Sequence, residues 1–182
     1  MRNMNYQTST KPLRHVIITG GAGFIGSQIS ARLMKEKTRV TILTRNVSAP
    51  RAVALAKQGC KVVACDLGDA HRIPRQDMLD PADAMFHFAA DVSVSSPTLR
   101  AANVDGTSRA LALADALAIP YVVYASSIEA QGLGAESEIP LREDMACCPV
   151  SDYGQSKVQA EALIAEWGSL PGRRSLVLRI GN

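Results

Sequence analysis

An α/β fold, a doubly wound parallel sheet of about six strands with helices on both faces, is what this sequence predicts. Three observations carry the prediction. Short β-branched runs alternate with longer segments of helical periodicity. Those runs are nearly continuous in apolar residues, as expected of strands covered on both faces. Finally, the glycine-rich stretch "TGGAGFIGS", residues 19–27, stands between the first β-branched run and the first helical segment. A β-α-β-α order of this kind closes with right-handed crossovers.

In chain order, strands are predicted at 15–19 (HVIIT), 39–44 (RVTILT), 61–65 (KVVAC), 84–89 (AMFHFA), 120–125 (PYVVYA) and 175–180 (SLVLRI). Helices are predicted at 24–36, 49–58, 100–118 and 151–168, with one short, weaker helix in 70–80. Within 100–118, Val104, Leu111, Ala114 and Ala118 recur at helical spacing and are expected to face the sheet. The connection 128–150 exceeds an ordinary strand-to-helix loop and is a candidate functional loop. Residues 1–14 are polar and are expected to form a flexible arm, which leaves 15–182 as one domain.

Composition removes several function classes. A net charge of +3 without a Lys/Arg-rich run argues against nucleic acid. No run of about 18 apolar residues spans a membrane, and the first residues lack the apolar core of a signal peptide. Cys60 and Cys65 flank a strand, and Cys147 and Cys148 are adjacent. Neither pair has CxxC spacing, and His15, His71 and His87 are scattered, so no metal is expected. Reduced thiols in a cytoplasmic protein are the expectation. His87, within "MFHFAA", reads as a packed strand residue.

The glycines fit Gly20-x-x-Gly23-x-x-Gly26 and the overlapping Gly21-x-Gly23-x-x-Gly26. Placed between a strand and a helix, they imply a tight turn, close approach of backbone to a pyrophosphate, and close packing of helix on strand. The anion would sit on the free N–H groups and positive end of the helix. This is the dinucleotide-binding, or Rossmann, pattern. At the end of the second strand, where NAD-preferring proteins place a carboxylate for the ribose 2′-hydroxyl, stand Thr44 and then Arg45. A guanidinium suits a 2′-phosphate, so NADP is expected in preference to NAD. A solvated loop arginine is the plainer alternative.

A second constellation is "SDYGQSK", residues 151–157, in which Tyr153 and Lys157 lie four apart on one helix face. An ammonium beside a phenol favours the phenolate, which could exchange a proton with a substrate hydroxyl as hydride moves. "YASSIEAQG" places Ser126 and Ser127 at the carboxyl edge of the sheet, where ligands of open α/β sheets bind.

From residue 15 onward the chain resembles the extended short-chain dehydrogenases/reductases, specifically the NAD(P)-dependent nucleotide-sugar epimerase/dehydratase group. The resemblance rests on "TGGAGFIG", "CDL", "HFAA", "NVDGT", "YASSIEAQG", "YGQSK" and "LRIGN", in that order. It implies that Tyr153 is the acid/base, that Lys157 modifies its pKa and touches the nicotinamide ribose, and that Ser127 bonds the reacting oxygen. Gly20, Gly23 and Gly26 would form the phosphate turn, with Phe24 and Ile25 on the pyrophosphate and Asp66 and Leu67 around the adenine. Ala89 and Ala90 would line the cofactor trough, Asn103 would sit behind the active site, and Gly181 and Asn182 would border nicotinamide and substrate. Glu129 matches a further acid/base of some dehydratases, although a plain loop carboxylate is the simpler reading.

The chain departs from the family pattern at Thr44-Arg45, at Gln131 where many members have Tyr, and in length. The family continues past this point into a smaller substrate-binding domain, so the resemblance implies that most of that half is missing here. The implied substrate is a small molecule, a nucleotide sugar or a carbonyl compound. Epimerisation or dehydration is the first reading and NADPH-dependent ketone or aldehyde reduction the second. A non-catalytic dinucleotide-binding or sensing protein is the alternative of another class. Family analogy also suggests a homodimer through the helices at 100–118 and 151–168.

Overall fold

The computed structural model of the chain describes residues 12–93, 96–132 and 142–181. Six strands form one parallel sheet: β1 (His15–Thr19), β2 (Arg39–Thr44), β3 (Lys61–Ala64), β4 (Ala84–His87), β5 (Tyr121–Ser127) and β6 (Arg174–Ile180). Their spatial order is β3-β2-β1-β4-β5-β6. The order reverses between β1 and β4, and a crevice opens beyond their carboxyl ends. The longer helices are α1 (Phe24–Lys35), α2 (Pro50–Lys57), α3 (Gly106–Ala116) and α5 (Asp152–Ser169), with one short turn, α4 (Ile128–Gln131), after β5.

The continuous apolar strands have the two-faced burial expected of them. Ile17, Met85, Val122 and Tyr124 pack with Ala110, Leu111, Ala114, Ala160 and Ile164 of α3 and α5 on one face. Val16, Ile18, Val40 and Ile42 pack with Ala52 and Leu55 of α2 and Ile29 of α1 on the other. Outermost β6 alternates instead, leaving Leu176, Leu178 and Ile180 exposed on one face.

Several predicted boundaries move, each for a physical reason. Regular pairing in β4 ends at His87, although Phe88 still donates to Thr19 at 3.1 Å before the chain turns over Gly20. β5 runs on to Ser127 because β6 pairs with it as far as Ser127↔Ile180, a long-range contact that serine propensity does not announce. The region 70–80 holds two 3₁₀ turns, Ala70–Arg72 and Gln76–Met78, rather than one helix. Pro74 between them removes a donor. The predicted helix 100–118 contains a π-helical segment, Ala101–Asp105, and its regular part stops at Ala116. Ala118 lies beyond that end with φ +51° and is exposed, so it leaves the expected stripe. Ile119 takes the buried place, its N–H donating to Ala114 at 2.8 Å.

Of the expected arm, residues 1–11 lie outside the described residues, and the part next to β1 is held. Arg14 donates its backbone N–H to Asp83 Oδ2 at 2.7 Å, and the Leu13 carbonyl accepts from Thr38 Oγ1 at 3.0 Å. No helix among the described residues is long and apolar enough to cross a membrane.

Candidate active site

The glycine turn sits at the carboxyl end of β1. Gly20 has φ +66°, and a Cβ there would lie 2.6 Å from the Ala89 backbone nitrogen. A Cβ on Gly26 would lie 2.4 Å from the Gly20 carbonyl oxygen, so α1 can approach the turn only with glycine at that position. Gly23 caps α1 without a side chain, and no acidic residue stands in the first turn. The helix end therefore keeps its free N–H groups and positive dipole for an anion.

A trough of about 270 Å³ opens from this turn along the strand ends. It brings together Gly20, Gly23, Thr44, Arg45, Asp66, Leu67, Ala89 and Ala90 of the sequence-derived set. Phe24 and Ile25 lie beside it on the exposed first turn of α1, and buried Gly26 lies beneath it. Gly181 is exposed after β6, and Asn182 lies outside the described residues. Sequence reasoning passed over Asn46 and Ala102, which also line the trough. Their signal is positional, since Asn46 follows the β2 end directly.

Where the trough passes the ends of β2 and β3, Arg45 is exposed and makes no hydrogen bond or ion pair among the described residues. Asp66 is partly committed, accepting from Gly68 N–H at 3.0 Å and pairing with Arg72 at 3.3 Å. No carboxylate of β2 competes with Arg45, as read from the sequence.

Ser127, Tyr153 and Lys157 do not line this trough; they stand together where β5 meets α4 and α5. Ser127 closes β5, and its Oγ accepts from Glu129 N–H at 3.2 Å, so one serine both ends the strand and caps α4. Ser151 caps α5 by accepting from Gly154 N–H at 2.9 Å and donates to Glu129 Oε2 at 2.7 Å. The carboxylate of Glu129 is thereby tethered next to Tyr153.

Asn103 is buried, and its amide is fully engaged. Its Oδ1 accepts from Asp91 N–H at 2.7 Å; its Nδ2 donates to the Asp91 carbonyl at 2.9 Å and to Ser156 Oγ at 3.0 Å. It braces the loop after β4 against the Tyr153–Lys157 helix instead of lining the trough. Glu161, four residues beyond Lys157, accepts from Ser126 and pairs with Arg179 at 2.7 Å. Gln131, one of the departures noted above, is buried and accepts from Arg179. The i,i+4 step from Lys157 to Glu161 is the signal that could have exposed this brace.

Lys157 is buried, with Nζ donating to the Ala125 carbonyl at 2.8 Å and lying 5.6 Å from the centre of the Tyr153 ring. Burial pulls its pKa down to about 8, and Glu161 only partly opposes this. Tyr153 departs from the expected lowering: its pKa stands above the ordinary phenol value. Burial raises it first and the Glu129 charge adds to the rise, while nearby Ser127 opposes both. Burial of the phenol and the nearby Glu129 carboxylate set this direction, while the Lys157 amine is directed to the Ala125 carbonyl.

This arrangement makes stability depend on pH. With Lys157 near 8 when folded and 10.5 as its ordinary value, the unfolded chain holds more protons between those limits, so stability rises with pH across that window. Cys65, pushed up to about 11 by burial and Asp66, works in the opposite direction above 9.0. Comparison with Lys157→Met isolates the lysine. In urea titrations the wild type should gain roughly 1–3 kcal/mol on the variant between the two limits. A difference that stays flat with pH would contradict the buried, depressed amine.

A parallel sheet reversing at β1/β4, a bare helix end over a glycine turn, and a trough along the strand ends define a dinucleotide-binding protein of the Rossmann class. Comparison with known proteins takes this further: residues 16–182 match the model of the NAD dependent epimerase/dehydratase family, and the chain belongs to that family. It is 30% identical over 184 residues to UDP-glucose 4-epimerase of Azospirillum brasilense, covering 98% of this chain and 51% of that protein. A solved UDP-galactose 4-epimerase is similar at 30% identity and TM-score 0.78, over 91% of this chain and 55% of its own. The UDP-glucose 4-epimerase of Brucella ovis, solved in complex with NAD, is similar at 27% identity and TM-score 0.77, over 93% and 52%. The chain spans about half the length of the curated relatives it matches.

Proposed function

We propose that this chain is the cofactor half of an NAD(P)-dependent epimerase, dehydratase or related oxidoreductase that moves hydride between nicotinamide and a hydroxyl or carbonyl of a nucleotide sugar. The observation that carries the reading is the gathering of Ser127, Tyr153 and Lys157 at the carboxyl end of β5, beyond the trough that the glycine turn opens. A protein that only binds dinucleotide has no use for a proton-transfer set there. Bound nicotinamide would supply the hydride acceptor. The trough residues would hold the dinucleotide, with the pyrophosphate on the free N–H groups of α1 and the adenosine between Arg45 and Asp66. Tyr153 would carry the proton of the reacting hydroxyl, Ser127 would bond the same oxygen, and Lys157 would hold positive charge near the phenol. Glu129 would tune Tyr153 through its charge.

Mixing the chain with NAD⁺ or NADP⁺ and a UDP-sugar, and following reduced nicotinamide in a single turnover, tests the reading. Cofactor reduction that depends on the sugar supports it. Tight dinucleotide binding with no reduction, by this chain or by any longer polypeptide containing it, overturns it.

Arg45 supports a preference for NADP, and with it the second reading, NADPH-dependent carbonyl reduction. Replacing Arg45 by Ala should weaken NADP⁺ binding about 10- to 100-fold, the worth of one charge-assisted hydrogen bond, and leave NAD⁺ nearly unchanged. Titration calorimetry with both cofactors measures this. Equal losses for the two would remove Arg45 from cofactor choice.

A further inference from the structure

Register places Thr19, His87, Tyr124 and Val177 in one row across β1, β4, β5 and β6, on the sheet face beneath α3 and α5. The row is fully buried at His87 and nearly so at Tyr124. The His87 and Tyr124 rings stack, with centres 5.4 Å apart and planes 27° from parallel. Lys157 Nζ lies 4.7 Å from the centre of the Tyr124 ring. We propose that Tyr124, held by His87, is a positioning residue for Lys157: its aromatic face supports the ammonium between the Ala125 carbonyl and the Tyr153 ring.

The hydrogen bonds explain why His87 can serve as a fixed, uncharged support. Thr107 Oγ1 donates its single proton to the Asn103 carbonyl at 2.6 Å, so toward His87 Nε2, 2.9 Å away, it can only accept. The imidazole therefore carries its proton on Nε2. Its bare Nδ1 accepts from Thr19 Oγ1 at 2.6 Å. Both nitrogens are committed, and the ring cannot turn without breaking a buried bond. Burial, and then the Lys157 charge, press the His87 pKa down to about 3, so no second cation forms under the lysine near neutrality.

Tyr124 Oη is buried without a hydrogen-bond partner among the described residues. The Thr107 side chain lies near it but makes no bond of normal geometry, so the hydroxyl adds little to holding the residue. The residue contributes through its ring. An aromatic face beneath a desolvated ammonium is attractive because the ring quadrupole is negative at its face. The ionisable groups around Lys157 are His87 from β4, Tyr124 from β5, and Tyr153 and Glu161 from its own helix. Only Glu161 brings a negative charge that raises the lysine.

The proposal takes Lys157 as the functional amine, as above, but its test needs no catalysis. Lysine side chains are isotope-labelled in the full chain, and Lys157 is followed by NMR through a pH titration without cofactor. Tyr124→Phe should keep the wild-type midpoint. Tyr124→Met, of comparable bulk without a π face, should lower it by about one unit and weaken NAD⁺ binding. A Met variant titrating like wild type, or a Phe variant shifted as far as Met, overturns the proposal. If the Met variant does not fold, trifluorophenylalanine at position 124 keeps the shape while draining the ring of electron density. It should also lower the midpoint, and an unchanged midpoint again overturns the proposal. Failure of hydride transfer alone leaves these outcomes untouched, so the two readings fail separately.

Discussion

On the proposed function, replacing Tyr153 by Phe should lower sugar-dependent cofactor reduction by roughly 10²- to 10⁴-fold, the usual contribution of a positioned acid/base, while dinucleotide affinity should stay within a few-fold. Only an oxygen is removed. The ring still packs above Lys157, and the amine keeps its bond to Ala125. A second outcome separates a proton carrier from a packing residue. Burial and Glu129 hold the Tyr153 pKa above its ordinary value, so the phenol is protonated near neutrality. Oxidation, which needs the phenolate, should therefore quicken as pH rises. Replacing Glu129 by Gln removes the negative charge that raises the phenol, and the rise should move toward lower pH. In Tyr153→Phe the residual rate should lose this limb. Stopped-flow measurement across the alkaline range reads all three, and a Phe variant with wild-type rate would dismiss Tyr153.

Gly20→Ala is the second large effect, and it falls on the fold and the cofactor together. The position has φ +66°, which an alanine adopts only with strain, and the new Cβ would meet Ala89 N at 2.6 Å and Ala89 Cα at 2.8 Å. Those are backbone atoms of the segment leaving β4, so no flexible side chain can yield. Strain and overpacking together should cost about 2–4 kcal/mol in urea unfolding. Dinucleotide binding should weaken at least tenfold, because on the proposed function the turn would present the helix end to the pyrophosphate. Gly59→Ala is the matched control. Gly59 has φ +96° but open space around its Cβ direction, so it should lose only the backbone term, about 1 kcal/mol, and keep its affinity. Equal losses at the two positions would show that close packing at Gly20 is not what the turn requires.

The parts of this protein legible in its sequence are those set by local chemistry. Apolar runs such as Val16–Ile18 report strands buried on both faces, and the glycine spacing reports the turn because glycine has no substitute there. Tyr153 and Lys157 can be paired from sequence because a helix brings residues four apart together. Less legible were features created by distant partners. Serines alone do not suggest that β5 extends to Ser127; pairing with β6 does. Ala118 fits the helical stripe in sequence, yet the helix ends before it. The Tyr153 pKa follows burial and the charge of Glu129 on another element, which the four-residue spacing to Lys157 does not announce. His87 and Tyr124 belong to different strands, and only the sheet register stacks them.

In the proposed function bound nicotinamide would lie against Tyr153, outside the trough that Arg45 lines. With NAD⁺ added to the labelled chain, nuclear Overhauser contacts between nicotinamide ring protons and side-chain protons locate the reactive ring directly. The account predicts contacts to the Tyr153 ring, with adenine protons near Leu67. Nicotinamide contacts confined to other residues, with Tyr153 silent while the dinucleotide is demonstrably bound, would contradict it.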